Sequence, residues 1–194
     1  MTTIVIIGIL ALCAFYIVGI YNSLVTLRNK YKNAFAGIDV QLQRRYDLIP
    51  NLVETAKGYM KHEQGTLEAV IQARNQAITA RGPAATSPGD TNAMKNLGAA
   101  ETMLNGALGK FFALAEAYPD LKANISMQDL MAELKNTEDQ LAFARKTYNE
   151  TATEFNTATE VFPQNIVANN FKFTKAELLT ITDPAVSEAP KVQF

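Results

Sequence analysis

An uncharged stretch near the start of the chain, Ile4 to Ile20, constrains the fold more than any other feature of the sequence. As a helix, these seventeen residues at about 1.5 Å each span roughly 26 Å, which is close to the thickness of a bilayer core. Tyr16 and Tyr21 suit the membrane–water interface, where aromatic side chains are enriched. The stretch therefore predicts a transmembrane anchor over residues 1–23.

Two alternatives to an uncleaved anchor find less support in the residues. A cleavable signal peptide needs a basic region before its apolar core and a small-residue cleavage site, and neither is clear here. The segment "LALC", which ends at Cys13, is similar to a lipoprotein cleavage box, but bulky Leu12 stands where a small residue is expected. An uncleaved anchor is the preferred interpretation, and lipidation or cleavage at Cys13 is the alternative.

The charges that flank the anchor predict its orientation. Arg28, Lys30 and Lys32 follow it, whereas no Lys or Arg precedes it. By the positive-inside rule, a single-pass protein with these flanks has its N-terminal end outside the cell membrane and its C-terminal body in the cytoplasm.

The composition excludes several classes of function. The formal net charge is −1 and no dense basic block appears, so nucleic acid is not an expected partner. A structural zinc site generally needs four Cys or His ligands, whereas the chain has one histidine and one cysteine. We therefore expect no metal and no other cofactor.

Beyond the anchor, apolar residues recur every three or four positions, which is the spacing of a helix with one buried face. This stripe runs through residues 24–80. The segment "RGPAATSPGD" at 81–90 then predicts a loop, because it combines two prolines with two glycines. Two further stripes predict helices over 91–118 and 126–162. The fold class is therefore all-α: a transmembrane helix followed by a long antiparallel bundle of three to four helices over 24–163.

Residues 164–194 differ in character from the helices before them. Alternation at Phe171 and Phe173 is followed by proline-containing chain, which predicts a mostly extended tail. Phe171, Phe173 and Phe194 are too apolar for a tail that is wholly solvated. We expect the tail to dock on the bundle or on a neighbouring copy, with these aromatic residues as interaction candidates.

Pro50 interrupts the first stripe without ending it. A proline inside a helix removes one backbone hydrogen bond and crowds the carbonyl four residues back, here Tyr46, at a cost of roughly 3 kcal/mol. Asp47 is a competent N-cap, so a new helix could begin just before the proline. The residues allow a kinked helix or two helices that meet here, and the kink is favoured because the stripe continues across it.

Three charged residues, Arg74, Glu101 and Arg145, lie on or beside apolar stripes. Folding the helices antiparallel about the two predicted loops brings them within about one turn of each other. We expect an internal Arg–Glu–Arg layer that fixes the register of the bundle, and a ligand or proton site is the less favoured alternative. Arg44 and Arg45 are expected to reach solvent, a partner or lipid headgroups.

Other candidate motifs have simpler explanations. His62 is the only imidazole and has no evident catalytic partner, and "HEQGT" lacks the second histidine of a metalloprotease motif. Gly98, Gly106 and Gly109 lack the spacing of a phosphate-binding loop and indicate close helix packing instead. The sequence therefore predicts a protein that is not an enzyme.

Several long segments closely resemble the LemA family, which are bacterial membrane proteins with an N-terminal anchor. The segments are "YNSLVTLRNKYKNAFAGIDVQLQRRYDLIPNLVETAKGYMKHE", "GALGKFFALAEAYPDLKAN", "TEDQLAFARKTYNETATEFNTATEVFP" and "EAPKVQF". The resemblance implies an all-α antiparallel bundle of about four helices and roles in scaffolding or the envelope, sometimes beside membrane metalloproteases. It implies no established activity.

Together these observations predict a membrane-anchored helical scaffold of the bacterial envelope that binds copies of itself. Tyr148, Phe155 and Phe162 are seven residues apart, which is the seam spacing of a coiled coil and is compatible with such association. The alternatives are a ligand-binding or enzymatic bundle with a polar pocket between helices, and an adaptor for a membrane protease.

Overall fold

The computed structural model describes residues 1–181 of the chain, and these residues form six α-helices without any strand. The prediction of an all-α fold is confirmed. The helices are α1 (Thr2–Lys57), α2 (Gln64–Thr86), α3 (Thr91–Ala115), α4 (Pro119–Lys122), α5 (Ile125–Glu160) and α6 (Gln164–Asn170).

Helix α1 carries the apolar segment into the bundle as one continuous helix. Its first eighteen residues are exposed, and a buried stripe begins at Ile20 and continues to Ala56. Within residues 1–181, α1 alone is long and apolar enough to cross a membrane. The anchor and the first bundle helix are therefore a single rod with no linker between them.

Helix α1 ends earlier in the chain than the sequence predicts. The helix passes through Pro50 and ends at Lys57, so the prediction of one helix over 24–80 is wrong. The chain reverses at residues 58–63, where fully buried Met60 closes the end of the bundle. The apolar spacing hides this reversal because the buried face of α2 begins in phase with that of α1.

Cross-helix contacts establish the direction of each long helix. From the C-terminal half of α1, α2 runs back antiparallel, α3 runs parallel to α1, and α5 is antiparallel to it, which is the up-down-up-down order of a four-helix bundle. The pairs that show this are Asp39–Arg81 and Tyr46–Arg74 for α2, Tyr31–Gly89 and Arg45–Glu101 for α3, and Arg44–Glu133 and Lys30–Glu154 for α5.

The loop between α2 and α3 is shorter than the predicted loop over 81–90. Helix α2 continues to Thr86 with Pro83 inside its last part, because Ala84 is fully buried and its packing favours the additional turn. Asp90 then caps α3 by accepting a hydrogen bond of 2.9 Å from the amide of Ala93.

Residues 174–181 lie in the seam between α3 and α5, the two neighbouring helices whose backbones approach each other least. Asn156 donates to the carbonyl of Ala176 (2.8 Å) and accepts from its amide (2.7 Å). Asn149 forms the same pair of bonds with Leu179, at 3.1 and 2.9 Å. Two side chains of α5 therefore hold the main chain of the tail by paired hydrogen bonds, as a neighbouring strand would in a β-sheet.

This arrangement explains the repeat of "YN" and "FN" at residues 148–149 and 155–156. Seven helical residues advance by about 10.5 Å, and three extended residues advance by about 10 Å. Two asparagines seven residues apart on α5 therefore bond tail residues that are three apart. Tyr148 and Phe155 point into the core, and the asparagines beside them face the tail. Phe162, the third member of the predicted seam, lies beyond α5 and is exposed.

Gly98 allows the tail to approach α3 closely. A Cβ atom at this position would lie 2.4 Å from the carbonyl oxygen of Thr180, whereas one at Gly106 or Gly109 would meet nothing within 4 Å. The predicted close packing of helices at these glycines is therefore wrong. One glycine receives the tail, and the other two have open space.

We predict that Gly98→Ala displaces the tail, because the backbone of Thr180 must move away from the new methyl group. We expect a loss of about 1–3 kcal/mol in the free energy of unfolding and faster amide exchange in residues 174–181. Gly106→Ala is the matched control on the same helix and should gain up to about 1 kcal/mol from helix propensity. Equal tail protection in both variants would contradict this assignment.

Candidate functional site

A buried ion pair lies at the centre of the bundle. Glu101 on α3 is completely inaccessible, and its carboxylate receives a hydrogen bond of 2.9 Å from Nη1 of Arg45 on α1. The hydroxyl of Tyr46 donates to the other carboxylate oxygen. Because a buried charge without partners is very costly, these two donors are required for Glu101 to remain in the core.

The guanidinium of Arg45 is shared among three acceptors on two helices. Besides Glu101, it donates to Asn105 on α3 and lies 3.3 Å from the carboxylate of Glu138 on α5. Only 5% of Arg45 is exposed, so the expectation that it reaches solvent, a partner or lipid is wrong. Arg45 therefore ties α1 to both α3 and α5 at one level.

Pro50 is accommodated by a side chain from the neighbouring helix. Proline lacks an amide hydrogen, so the carbonyl of Tyr46 loses the partner that an α-helix normally provides four residues further on. Nε of Arg74 on α2 donates to this carbonyl at 2.6 Å. The hydrogen bond that the helix loses is thus replaced across the α1–α2 interface, which explains how α1 continues through Pro50 without a new start.

The three members of the predicted polar layer have different positions. Arg74 and Glu101 both contact Tyr46, one through its carbonyl and the other through its hydroxyl. Arg145 is half-buried elsewhere on α5, beside Lys146 and Asn149. The ion-pair partner of Glu101 is Arg45, and neither arginine of the predicted layer takes that place.

Arg44 reaches solvent, which is one of the expectations for it, and α1 continues past Asp47, as the favoured interpretation requires. The half-exposed side chain of Arg44 pairs with Glu133 on α5, and its position is roughly 36 Å along the helix from Ile20, far from lipid headgroups. Asp47 does not begin a new helix, and its carboxylate accepts a bond of 2.8 Å from Gln43 one turn earlier.

Burial determines the protonation behaviour of the network. Removal from water raises the pKa of Glu101, while the positive charge of Arg45 and the Tyr46 hydrogen bond oppose that rise. Burial, together with the nearby Glu101 carboxylate, raises the pKa of Tyr46 far above its ordinary value. Tyr46 therefore keeps its proton and acts as a hydrogen-bond donor, and the arrangement is suited to locking helices together.

The network has one open side. Below the docked tail, the α3–α5 seam remains a groove of about 520 Å³ with Arg45 at its floor. Its walls are largely apolar, and Glu138 lies at its edge. The other lining residues are Asn105, Leu108, Gly109, Phe112, Met131, Ala132, Leu134, Lys135 and Asp139.

The predicted aromatic contacts lie at the membrane-proximal end of the bundle. Phe173 packs against Phe155 and Tyr21 and lies under the guanidinium of Arg28, 5.1 Å from the ring centroid. Phe171 is exposed on one side and contacts Tyr21 on the other, with ring centroids 4.9 Å apart. Phe194 lies outside the described residues.

No group of three or more His, Cys, Asp or Glu side chains that could hold a metal ion occurs within residues 1–181. His62 is exposed in the reversal between α1 and α2.

Sequence reasoning missed Arg45, Tyr46 and the two asparagines of the tail interface. A signal for the first was present, since Arg45 lies three residues after Leu42 and four before Ile49, in phase with the buried stripe. The asparagines were visible as a repeat, but nothing in the repeat itself indicates an extended chain as its partner.

The sequence is similar to one known family of proteins. The model of the LemA family matches residues 34–194. Magnetosome protein MamQ 1 of Paramagnetospirillum magneticum and MamQ of Magnetospirillum gryphiswaldense are each 26% identical over 172 residues, which covers 81% of this chain and 63% of theirs. Protein LemA of Metamycoplasma hominis is 28% identical over 178 residues, covering 92% of this chain and 74% of its own. The chain thus spans less than two thirds of the MamQ proteins.

We predict that Arg74 and Pro50 are energetically coupled. Arg74→Met should lower the free energy of unfolding by about 1–3 kcal/mol, because it leaves the buried carbonyl of Tyr46 without a donor. In a Pro50→Ala background, the new amide can bond that carbonyl, so the same substitution should cost much less. The measurement is a double-mutant cycle by chemical unfolding in mild detergent, and additive effects would rule out the replacement bond.

Proposed function

The chain belongs to the LemA family, and from this premise we propose that it is a membrane-anchored helical scaffold of the bacterial envelope, without catalytic activity, that binds copies of itself. The continuity of α1 carries the proposal. Because no linker separates the apolar segment from the bundle, the bundle cannot bend freely away from the axis of that segment. Its surfaces are presented at a fixed height and angle, which is what a scaffold requires.

The chemistry of the core supports a structural role. Glu101, Arg45 and Tyr46 satisfy each other and face helices of the same chain. A catalytic acid or base needs access to a substrate proton, and the carboxylate of Glu101 has none. The network is therefore better suited to fixing the register of the helices than to proton transfer.

An exposed apolar pair on the side of the bundle is the candidate surface for self-association. Val40 on α1 and Phe143 on α5 are both largely exposed. They lie at similar heights, since a Cβ atom at Gly37 of α1 would lie 3.8 Å from the Cβ of Ala144 on α5. Apolar residues that cluster on the outside of a bundle are typical of an interface.

The α3–α5 groove supports a second candidate function, the binding of a ligand or an extended peptide. The groove lies in the same seam as residues 174–181 and combines apolar walls with the polar group of Arg45 and Glu138. An adaptor for a membrane protease would use these same surfaces, and crosslinking in native membranes followed by identification of the captured protein would distinguish it.

We predict that the full chain forms a defined oligomer in mild detergent and that Phe143→Glu dissociates it, because a charge replaces the apolar contact. Light scattering coupled to size-exclusion chromatography measures the mass. Met103→Glu, an exposed position on α3, is the matched control and should leave the oligomer intact. Lys135→Glu, an exposed position that lines the groove, should also leave it intact. A monomer in every condition would refute the self-association.

We further propose a single-pass orientation with the N-terminal end outside and the bundle in the cytoplasm, supported by Arg28, Lys30 and Lys32 after the anchor. We predict that a cysteine introduced at exposed Lys61, in a Cys13→Ser chain, resists a membrane-impermeant maleimide in intact spheroplasts. The same cysteine should react fully after lysis. Equal labelling before and after lysis would reverse the orientation.

A further inference from the structure

The region around α6 exposes more apolar surface than a solvated helix of its length requires. Phe162 is 77% exposed, Ile166 52% and Phe171 56%, and all three lie within a ten-residue segment. Contiguous apolar surface of this kind generally marks a contact with a membrane or another protein.

The position of α6 indicates which contact this is. Its opposite side, Val167 and Ala168, packs against Ile20 and Leu24 of α1. Ile20 ends the apolar run, since the polar residues Asn22 and Ser23 follow it closely, and Leu24 lies only about 6 Å further along the helix. A helix held against these residues lies at the level where the acyl chains of a bilayer meet the headgroups.

Basic side chains occupy the next level above α6. Arg28 and Lys32 of α1, together with Lys172 and Lys175 of the tail, line one hollow of about 260 Å³. Arg28 is about 12 Å from Ile20 along the helix, which is the depth of lipid headgroups when Ile20 lies at the edge of the acyl layer. Asp90 and the partner of Lys175, Glu160, reduce this charge, but the hollow remains basic.

We propose that α6 and its flanking residues form a second membrane contact, which inserts Phe162, Ile166 and Phe171 into the interfacial layer of the bilayer that α1 spans. The basic hollow beside them then faces anionic headgroups. An apolar face combined with adjacent basic residues is the general pattern of interfacial membrane helices. The protein is thus held by the membrane-spanning part of α1 and by this second contact, which limits the tilt of the body relative to the bilayer.

The absence of tryptophan from the chain permits a direct test. Phe162→Trp places a single tryptophan at the proposed second membrane contact. The full chain with this substitution is reconstituted into phosphatidylcholine–phosphatidylglycerol vesicles. Lipids brominated near the headgroup end of the acyl chain quench only a tryptophan that contacts them. We expect at least about twofold quenching at this position, as for a side chain buried in the interface.

Phe143→Trp is the matched control, since Phe143 has the same side chain and is 72% exposed. It lies beside the residue that contacts Gly37, roughly 25 Å from Ile20 along α1, and should not be quenched. Equal quenching of the two tryptophans would overturn the proposal. So would an unquenched but solvent-protected Phe162→Trp, because that result would indicate coverage by a second copy.

Ile166→Trp provides an independent second reporter if Phe162→Trp fails to fold, as judged by circular dichroism. Lys32→Gln with Lys172→Gln tests the basic hollow, and quenching of Phe162→Trp should then lose its preference for anionic over neutral vesicles. A preference that persists in the double variant would exclude the hollow from lipid binding. Failure of self-association leaves all of these expectations unchanged, so the two proposals are tested separately.

Discussion

The two hydrogen bonds of Tyr46 join three of the long helices of the bundle. Its carbonyl, which Pro50 deprives of a partner in α1, receives a hydrogen bond from Arg74 on α2. Its hydroxyl donates to Glu101 on α3, and that carboxylate is held by the next residue along α1, Arg45. A helix defect and a buried charge, each costly alone, are therefore compensated within one group of side chains. This arrangement permits a single register of α1, α2 and α3, since a shift by one turn would leave both unsatisfied.

The fourth helix is joined to this group less tightly. Helix α5 packs along α1, but its seam with α3 is completed by the tail near the membrane and is open further away. The tail is bound through its main chain, so Asn149 and Asn156 constrain its path without demanding particular side chains.

Much of the fold could be predicted from the sequence because a buried stripe depends only on local spacing. Leu42, Ile49, Leu104 and Leu141 lie on the predicted apolar stripes, and all of them are buried. The stripes could not locate the reversal at 58–63, because helices on both sides of a turn can share one phase. The hydrogen-bond network in the core was harder to predict, because Arg45 and Glu101 are 56 residues apart. A charged residue on an apolar stripe does not by itself identify its partner. The register of the tail depended on contacts between an extended chain and a helix, for which sequence periodicity has no simple rule.

The unbroken α1 also has a mechanical consequence. In the proposed position of α1 across the bilayer, an apolar segment of seventeen residues, roughly 26 Å long, is short for a bilayer core of about 30 Å, so the surrounding lipid thins or the span stands nearly upright. Because the same helix forms one side of the bundle, every degree of tilt in the membrane is transferred to the body as a lever arm some 55 Å long. The local thickness of the bilayer thus determines how far the end of the bundle at residues 58–63 stands from the lipid surface.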